Sequence, residues 1–188
     1  ECLYKENGCS FRFNVESCYF SPRLASERLE ISRLVKKSES VLVMFGGVAP
    51  FAIVIAKIAV PKRVVSVELG RKCSKYALEN AKKNKVKVEI IQGDVRRILP
   101  KLKEKFDRIV MARPNLKDSF LNVAFPCIKK SGIIHYYGFY PENEVKKLEE
   151  LIKVEAKKAK KKIKILKIKK AGDIGVKKYR YRIDFKVV

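Results

Sequence analysis

Strand-like and helix-like patterns alternate in strict succession over most of the chain. Short apolar runs, typical of buried strands, are separated by longer stretches whose apolar residues recur at helical spacing. The pattern predicts strands at 41–45, 63–68, 87–92, 107–112 and 132–137, with helices at 50–59, 72–84, 95–103 and 117–130. Such alternation is typical of βαβ units, so the sequence predicts an α/β fold with a mainly parallel sheet.

The last part of the chain extends this sheet. A long helix is predicted from 142 to about 161, followed by strands at 162–169 and 177–188 in which apolar residues alternate with polar ones. Two neighbouring strands at the end of a five-strand α/β chain indicate an antiparallel close. We therefore expect seven strands in a domain that comprises residues 38–188.

Residues 1–37 are predicted to form a small hairpin and a helix that lead into this domain. The hairpin strands are expected at 2–5 and 10–15, with Phe11, Phe13 and Val15 on one face. Asn7-Gly8 lies between them and supplies the positive φ angles that a tight hairpin turn needs. A unit of this size has to pack on something else to be stable.

The helix within 16–37 is predicted to start at Ser21-Pro22, with serine as the N-cap and proline at the first helical position. Arg23 and Glu27 then lie one turn apart on a shared side. An ordinary surface ion pair explains these two residues as well as a catalytic role does. The apolar stripe of this helix is expected to consist of Leu24, Ile31, Leu34 and Val35.

The turn between the first predicted strand and helix of the larger domain is the candidate ligand site. Its two glycines, Gly46 and Gly47, let backbone N–H groups approach a bound molecule at the N-terminus of a helix. Many α/β proteins have the same turn for packing reasons alone, so both explanations stay open.

Residues at three further strand ends strengthen the ligand hypothesis. Glu68 closes the second strand, where a carboxylate can accept hydrogen bonds from ribose hydroxyls. Asp94 follows the third strand, and Ala112-Arg113-Pro114 follows the fourth. Each polar residue alone fits a helix cap or a surface charge. Their recurrence at the carboxyl edge of a parallel sheet predicts a nucleoside-containing ligand.

The net charge of +24 indicates a polyanionic partner, and nucleic acid comes first. A membrane-surface helix would need bulky aromatic residues, and the lysine-rich stretch 153–170 has none. These lysines fit either a solvated face or contact with phosphates. We expect a cytosolic protein without a membrane span. Because the chain opens at Glu1 directly before a strand, we also expect an upstream domain in the intact protein.

Cysteine and histidine spacing does not predict a metal site. The five cysteines include no CxxC pair, and the single histidine, His135, has no suitably spaced partner. We expect reduced thiols, partly in the core, and a packed or capping histidine.

Four stretches together resemble a known family. They are Asn7-Gly8 with the following hairpin phenylalanines, the segment 19–28 (YFSPRLASER), the turn 44–51 (MFGGVAPF) and the strand 132–137 (GIIHYY). This combination resembles the archaeal and eukaryotic tRNA guanine-N1 methyltransferases that modify the purine beside the anticodon. The resemblance covers nearly the whole chain, but the family's small N-terminal domain is missing from it.

The resemblance implies a class I, Rossmann-like methyltransferase that uses S-adenosylmethionine and acts on tRNA; we expect a monomer without a metal. Glu27 would be the general base that accepts the guanine N1 proton. Arg23 would stabilise negative charge on O6, and Tyr19 would lie near the cofactor and target base. The implied cofactor-binding residues are Phe45, Gly46, Gly47 and Val48 for the methionine end, Glu68 for the ribose, Asp94 for the adenine, and Ala112 and Pro114 after the fourth strand.

Three positions depart from the family pattern. Val43 replaces an acidic residue, Ala49 replaces the last glycine of the turn, and Ala112 replaces an asparagine. These departures motivate an alternative, a non-catalytic RNA-binding relative. A second alternative is the related transferase that moves the aminocarboxypropyl group of the same cofactor in wyosine-type tRNA modification.

Overall fold

The computed structural model describes residues 1–112, 117–175 and 177–188. The chain forms two compact units, Glu1–Ile98 and Leu99–Val188. Its seven central strands make up one mostly parallel sheet, and a separate two-stranded hairpin precedes it. The predicted fold class, α/β with a Rossmann-like sheet, is confirmed, whereas the domain boundary expected after residue 37 stays a prediction.

The hairpin consists of β1 (Cys2–Glu6) and β2 (Cys9–Phe13). Asn7 and Gly8 have φ angles of 48° and 72°, as the predicted two-residue turn requires. Phe11 and Phe13 are buried, but β2 ends at Phe13 and the next residues turn, which leaves Val15 67% exposed. The prediction that Val15 lies on one strand face with Phe11 and Phe13 was therefore wrong.

Helix α1 (Ala25–Leu34) follows a 3-10 turn at Pro22–Leu24, which has proline in its first turn as predicted. The Ser21 side chain makes no capping hydrogen bond. Leu24, Ile31 and Val35 are buried, but Leu34 is exposed because the buried side of the helix instead includes Glu27, Arg28 and Ser32. This helix packs against the first helix of the parallel region.

The first unit contains three parallel strands in the order β5-β4-β3. Its elements are β3 (Ser40–Met44), α2 (Pro50–Ile58), β4 (Arg63–Glu68), α3 (Arg71–Lys83), β5 (Glu89–Gln92) and α4 (Val95–Ile98). The nearly continuous apolar runs of β3 and β4 are buried, as expected for strands covered on both faces. The carboxyl ends of these strands position the candidate site.

The second unit contains four strands in the order β6-β7-β9-β8. Its elements are β6 (Phe106–Met111), α5 (Leu121–Ala124), β7 (Ile128–Pro141), α6 (Val145–Lys158), β8 (Ile163–Gly175) and β9 (Lys178–Val187). Strands β6 and β7 are parallel, and β9 pairs antiparallel with both β7 and β8. The predicted antiparallel close is confirmed.

Two predicted helices are much shorter than expected. The helix predicted at 117–130 is only α5, followed by a 3-10 turn at Phe125–Cys127, and the one predicted at 95–103 is α4 followed by a 3-10 turn at Leu99–Lys101. Pro126 and Pro100 lie in these turns. Proline has no backbone N–H and disfavours helical geometry in the preceding residue, so both helices stop there.

Cys18 and Cys73 form a disulfide, with their Cα atoms 5.5 Å apart. The expectation of reduced thiols was wrong for this pair, because the fold brings the segment after the hairpin onto the first turn of α3. Cys2, Cys9 and Cys127 are free thiols, and burial raises the pKa of Cys9 and of Cys127.

His135 is packed inside the second unit, as predicted. Its Nδ1 lies 2.6 Å from Asp184 Oδ1, and its Nε2 lies 2.7 Å from Nη1 of Arg108. A guanidinium can only donate, so Nε2 accepts and the proton is on Nδ1. Burial lowers the pKa of His135 in agreement with this neutral form. Burial acts to raise the pKa of Asp184, but the hydrogen bond that His135 donates to it lowers this pKa overall. Arg182 also contacts the same carboxylate, with its Nε 3.0 Å from Asp184 Oδ1.

Candidate active site

The glycine turn joins β3 to α2 through an unusual run of backbone conformations. Phe45, Gly47 and Ala49 have φ angles of 61°, 56° and 63°. The N–H of Gly46 donates to the carbonyl of Val67 at 3.0 Å, and a Cβ at Gly46 would lie only 2.1 Å from Ser66 Oγ. Only glycine therefore fits at position 46 without displacing the buried Ser66 side chain.

Glu68 connects the end of β4 to this turn. One carboxylate oxygen accepts the N–H of Gly47 at 2.8 Å, and the other accepts the N–H of Gly70 at 2.7 Å. These two bonds fix the orientation of a half-buried carboxylate at the carboxyl edge of the sheet. Since each oxygen has a further lone pair, both can still accept hydrogen bonds from a ligand.

Asp94 is a helix cap. Its Oδ1 accepts the N–H of Arg96 at 2.8 Å, and its Oδ2 lies 3.7 Å from the Arg96 guanidinium. The residue stands directly before α4, so the capping explanation left open by the sequence describes what it does here. A role for Asp94 at an adenine edge stays a prediction.

The hairpin carries the Tyr19 segment to the glycine turn. The ring of Phe20 lies against Phe13, Tyr4 and Phe11, with centroids 4.7, 5.1 and 5.8 Å away. The neighbouring Tyr19 side chain is 76% exposed. A Cβ placed on Gly47 would lie 3.6 Å from the carbonyl oxygen of Tyr19. The structure therefore brings the backbone of Tyr19 close to the glycine turn, whereas a role for Tyr19 beside the cofactor and target base stays a prediction.

Arg23 and Glu27 differ in their surroundings. Arg23 is exposed in the 3-10 turn, whereas Glu27 is 2% exposed in the first turn of α1. The surface ion pair considered for Arg23 and Glu27 stays a prediction. A different, buried ion pair joins Arg28 of this segment to Glu6 of the hairpin. Both side chains of that pair are buried, at 1% and 4% exposure.

Sequence reasoning missed this ion pair, although one signal was visible. Arg28 lies four residues after Leu24 and three before Ile31, so it occupies a position in the apolar stripe of α1. A charged residue in such a stripe needs a buried partner. The partner, Glu6, is 22 residues away and belongs to a different element, so helical spacing did not identify it.

Two asparagines, one in α3 and one directly after it, hold the hairpin in place, and sequence reasoning missed them as well. Asn84 accepts the N–H of Ser10 at 2.8 Å and donates to its carbonyl at 2.7 Å. Asn80 does the same for Arg12 at 2.8 and 3.1 Å, and it also lies 3.4 Å from the carbonyl of Val48 in the glycine turn. These side chains pair with the backbone N–H and C=O groups on the outer edge of β2, as a neighbouring strand would.

The two remaining predicted cofactor residues belong to the second unit. Ala112 directly follows β6 and is half-buried, while Pro114 lies outside the described residues. Within the described parts of the chain, no group of three or more histidine, cysteine, aspartate or glutamate side chains has the arrangement of a metal site. None of the helices described here has the length and apolar character needed to cross a bilayer.

Comparison with known proteins decides the family. Residues 2–166 match the family described as the TRM5/TYW2 methyltransferase domain. The chain belongs to this family. The resemblance inferred from the sequence motifs is therefore confirmed.

Relatives in the TRM5/TYW2 family cover the whole chain. A protein of Pyrococcus abyssi named tRNA (guanine(37)-N(1))-methyltransferase Trm5b is 37% identical over 193 residues, which span 100% of this chain and 56% of the relative. A protein of Nanoarchaeum equitans named tRNA (guanine(37)-N(1))/4-demethylwyosine(37)-methyltransferase Taw22 is 33% identical and is covered to 80%. The chain thus spans about half the length of the Trm5b relative.

Solved structures of the family have the same fold. The crystal structure of Trm5b from P. abyssi superposes with a TM-score of 0.90 over 98% of this chain and 55% of that one, at 37% identity. TYW2 of Methanocaldococcus jannaschii, crystallised with AdoMet, gives 0.88 at 28% identity over 98% of this chain and 84% of that one. A complex of aTrm5 with tRNALeu gives 0.83 at 28% identity over 99% and 52%.

Proposed function

We propose that this chain is the catalytic part of an S-adenosylmethionine-dependent enzyme that methylates N1 of guanine 37 in tRNA. The observation that carries the proposal is the approach of the Tyr19 segment to the Gly46-Gly47 turn, in a chain 37% identical to a Trm5b protein. A base-positioning segment and a nucleoside-binding turn are the two parts that such a transfer needs.

The described residues fit the cofactor. The turn leaves open space at Gly47, where a Cβ would have only the Tyr19 carbonyl within 4 Å, so a ligand can approach the backbone there. Glu68 is held by two backbone N–H groups and offers lone pairs to vicinal ribose hydroxyls. Phe45, Gly46, Gly47 and Val48 would hold the methionine end. The bound cofactor supplies an electrophilic methyl group on a sulfonium.

Glu27 is the proposed general base. Guanine N1 carries a proton and is a weak nucleophile until that proton is accepted, so a carboxylate has to lie within hydrogen-bond reach of it. Glu27 supplies this carboxylate from the first turn of α1, where burial excludes competing water. Arg23 is the proposed donor to O6, and the exposed Tyr19 ring offers an aromatic surface to a base that has left its stack.

The proposed RNA partner is tRNA, held in part by the lysine-rich α6 and β8. Some lysines of this region pair with glutamates, as in Lys153–Glu149 at 2.6 Å and Lys158–Glu155 at 2.6 Å. Lys164 and Lys167 are exposed on β8. Phosphate contact by such lysines makes affinity fall steeply with salt, because bound counterions are released.

The test is methylation of unmodified tRNA by the intact protein with radiolabelled S-adenosylmethionine, followed by nucleoside analysis. We expect label on N1 of one guanine and a loss of about 100-fold or more for Glu27→Gln, the range that a general base contributes. Glu30→Gln, on the same helix, is the matched control. Equal labelling by wild type and Glu27→Gln would remove Glu27 from the mechanism.

Two alternatives give different outcomes in the same assay. A relative named tRNA(Phe) (4-demethylwyosine(37)-C(7)) aminocarboxypropyltransferase is 33% identical over 73% of this chain, so the mass of the added group must be measured. A non-catalytic RNA-binding protein would label nothing. Calorimetric binding of S-adenosylhomocysteine would count against that second alternative.

A further inference from the structure

A buried ion pair joins the hairpin to the helix that carries the proposed base. The Arg28 guanidinium donates from Nε and Nη2 to the two carboxylate oxygens of Glu6, the second at 2.5 Å. A two-point contact of this kind fixes the angle of the guanidinium as well as its distance. Because both side chains are buried, water does not compete with it.

The same guanidinium also reaches two other parts of the site, the Tyr19 segment and helix α2. Its Nη2 donates to the carbonyl of Ser21 at 3.0 Å, in the segment that carries Tyr19. Its Cζ lies 5.0 Å from the Phe20 ring centroid and 5.7 Å from that of Phe51, in the first turn of α2. Arg28 therefore contacts the hairpin, the Tyr19 segment and the helix that follows the glycine turn.

Arg28 is also the direct neighbour of Glu27 on α1, so any shift of its backbone moves the proposed base. A second hairpin contact supports the same helix, because Asn7 Nδ2 donates to the carbonyl of Ala25 at 2.9 Å. The hairpin thus holds the start of α1 at both Glu6 and Asn7.

We propose that Glu6 and Arg28 are positioning residues for methyl transfer, which set Glu27 and Tyr19 against the glycine turn. This inference rests on the proposed function. Neither residue touches the reacting atoms, and each acts through its neighbours. An apolar pair of similar volume often stabilises a fold as well as a buried ion pair does, so stability alone does not account for two charges here. The directional two-point contact is what an apolar pair would not supply.

The experiment uses the full-length protein and compares single-turnover methylation with cofactor binding. The variants are Arg28→Lys, which keeps the charge but loses the planar two-point contact, and the double variant Glu6→Leu/Arg28→Met, which removes both charges. The matched control is Glu1→Gln/Arg12→Met, which removes an exposed Glu–Arg pair of the same hairpin, with Nη2 and Oε2 2.6 Å apart. Urea unfolding establishes which variants are folded.

We expect both Arg28 variants to lose about 100-fold in single-turnover rate, the cost of a small misplacement of reacting groups. Their affinity for S-adenosylhomocysteine should stay within about threefold of wild type. In the exposed-pair control, both the single-turnover rate and this affinity should stay within about threefold of wild type. A purely structural role predicts instead that a folded double variant reacts at the wild-type rate, and that result overturns the inference. If Glu6→Leu/Arg28→Met does not fold, Arg28→Lys is the deciding variant, and a wild-type single-turnover rate for it likewise overturns the inference. Failure of wild type itself to methylate tRNA overturns the proposed function and this inference with it.

Discussion

Breaking the Cys18–Cys73 disulfide should cost a large part of the stability of the fold. The two cysteines are 55 residues apart in sequence, and closing a loop of that length removes about 4 kcal/mol of chain entropy from the unfolded state at 25 °C. Domains of this kind are stable by about 5–15 kcal/mol, so the expected loss is substantial. With a urea m-value of about 2 kcal/mol/M, the unfolding midpoint should fall by about 2 M.

The measurement is urea unfolding of wild type, Cys18→Ser and Cys73→Ser, each with and without dithiothreitol. Reductant should lower the midpoint of wild type and leave both variants unchanged, which separates the loss of the bond from any packing defect of serine. Cys2→Ser changes a free, half-buried thiol and is the matched control. Thiol titration in denaturant should count three thiols before reduction, Cys2, Cys9 and Cys127.

Two results would refute this reasoning. Five thiols in the unreduced, unfolded protein would mean that Cys18 and Cys73 are not bonded. A wild-type midpoint that does not respond to reductant, with the bond shown by titration to be broken, would mean that the closed loop adds no stability. The second outcome would indicate that the unfolded chain already keeps these segments close.

Three further predictions concern buried groups. Burial lowers the pKa of His135 below its ordinary value of 6.5, so below pH 6.5 the unfolded state binds a proton that the folded state does not bind. The free energy of unfolding should therefore decline as pH falls below 6.5. His135→Asn should flatten this decline in urea midpoints measured from pH 7 to 5. Gly46→Ala should lower the free energy of unfolding by about 1–3 kcal/mol because the added methyl group clashes with Ser66. Adding Ser66→Ala to this variant should restore most of the lost stability in urea unfolding. An unaltered midpoint for Gly46→Ala alone would contradict the close contact. Ala49 has a left-handed φ of 63°, so Ala49→Gly should raise stability by up to about 1 kcal/mol, whereas a lower midpoint would show that the buried methyl group outweighs the backbone strain.

The sequence predicted those parts of the fold whose cause is local. The boundaries of β4, Arg63–Glu68, were predicted to the residue because a nearly continuous apolar run is bounded by a charged side chain at each end. The Asn7-Gly8 turn was predicted because these residue types tolerate positive φ. The errors at α4 and α5 were local too, since Pro100 and Pro126 were visible in the sequence and should have shortened both helices.

The candidate site was only partly predictable, because its organisation depends on contacts between distant residues. Glycine spacing identified the turn, and strand ends identified Glu68. The contact between Glu68 and the Gly47 N–H joins residues 21 positions apart, and the Arg28–Glu6 pair joins residues 22 positions apart. Asn80 and Asn84 bond backbone groups that lie 68 and 74 positions away. Periodicity within one element carries no information about such partners.

The lysines of β8 have an effect that does not depend on RNA, because β8 lies at the edge of the sheet. This strand is the last in the order β6-β7-β9-β8, and it carries exposed apolar side chains at Leu166 and Ile168 between its charges. An outermost strand of this length would offer its backbone to the same strand of another molecule, the first step of aggregation. Lysines spaced along β8 repel the same strand of a second molecule, so they oppose edge-to-edge pairing of the protein at high concentration.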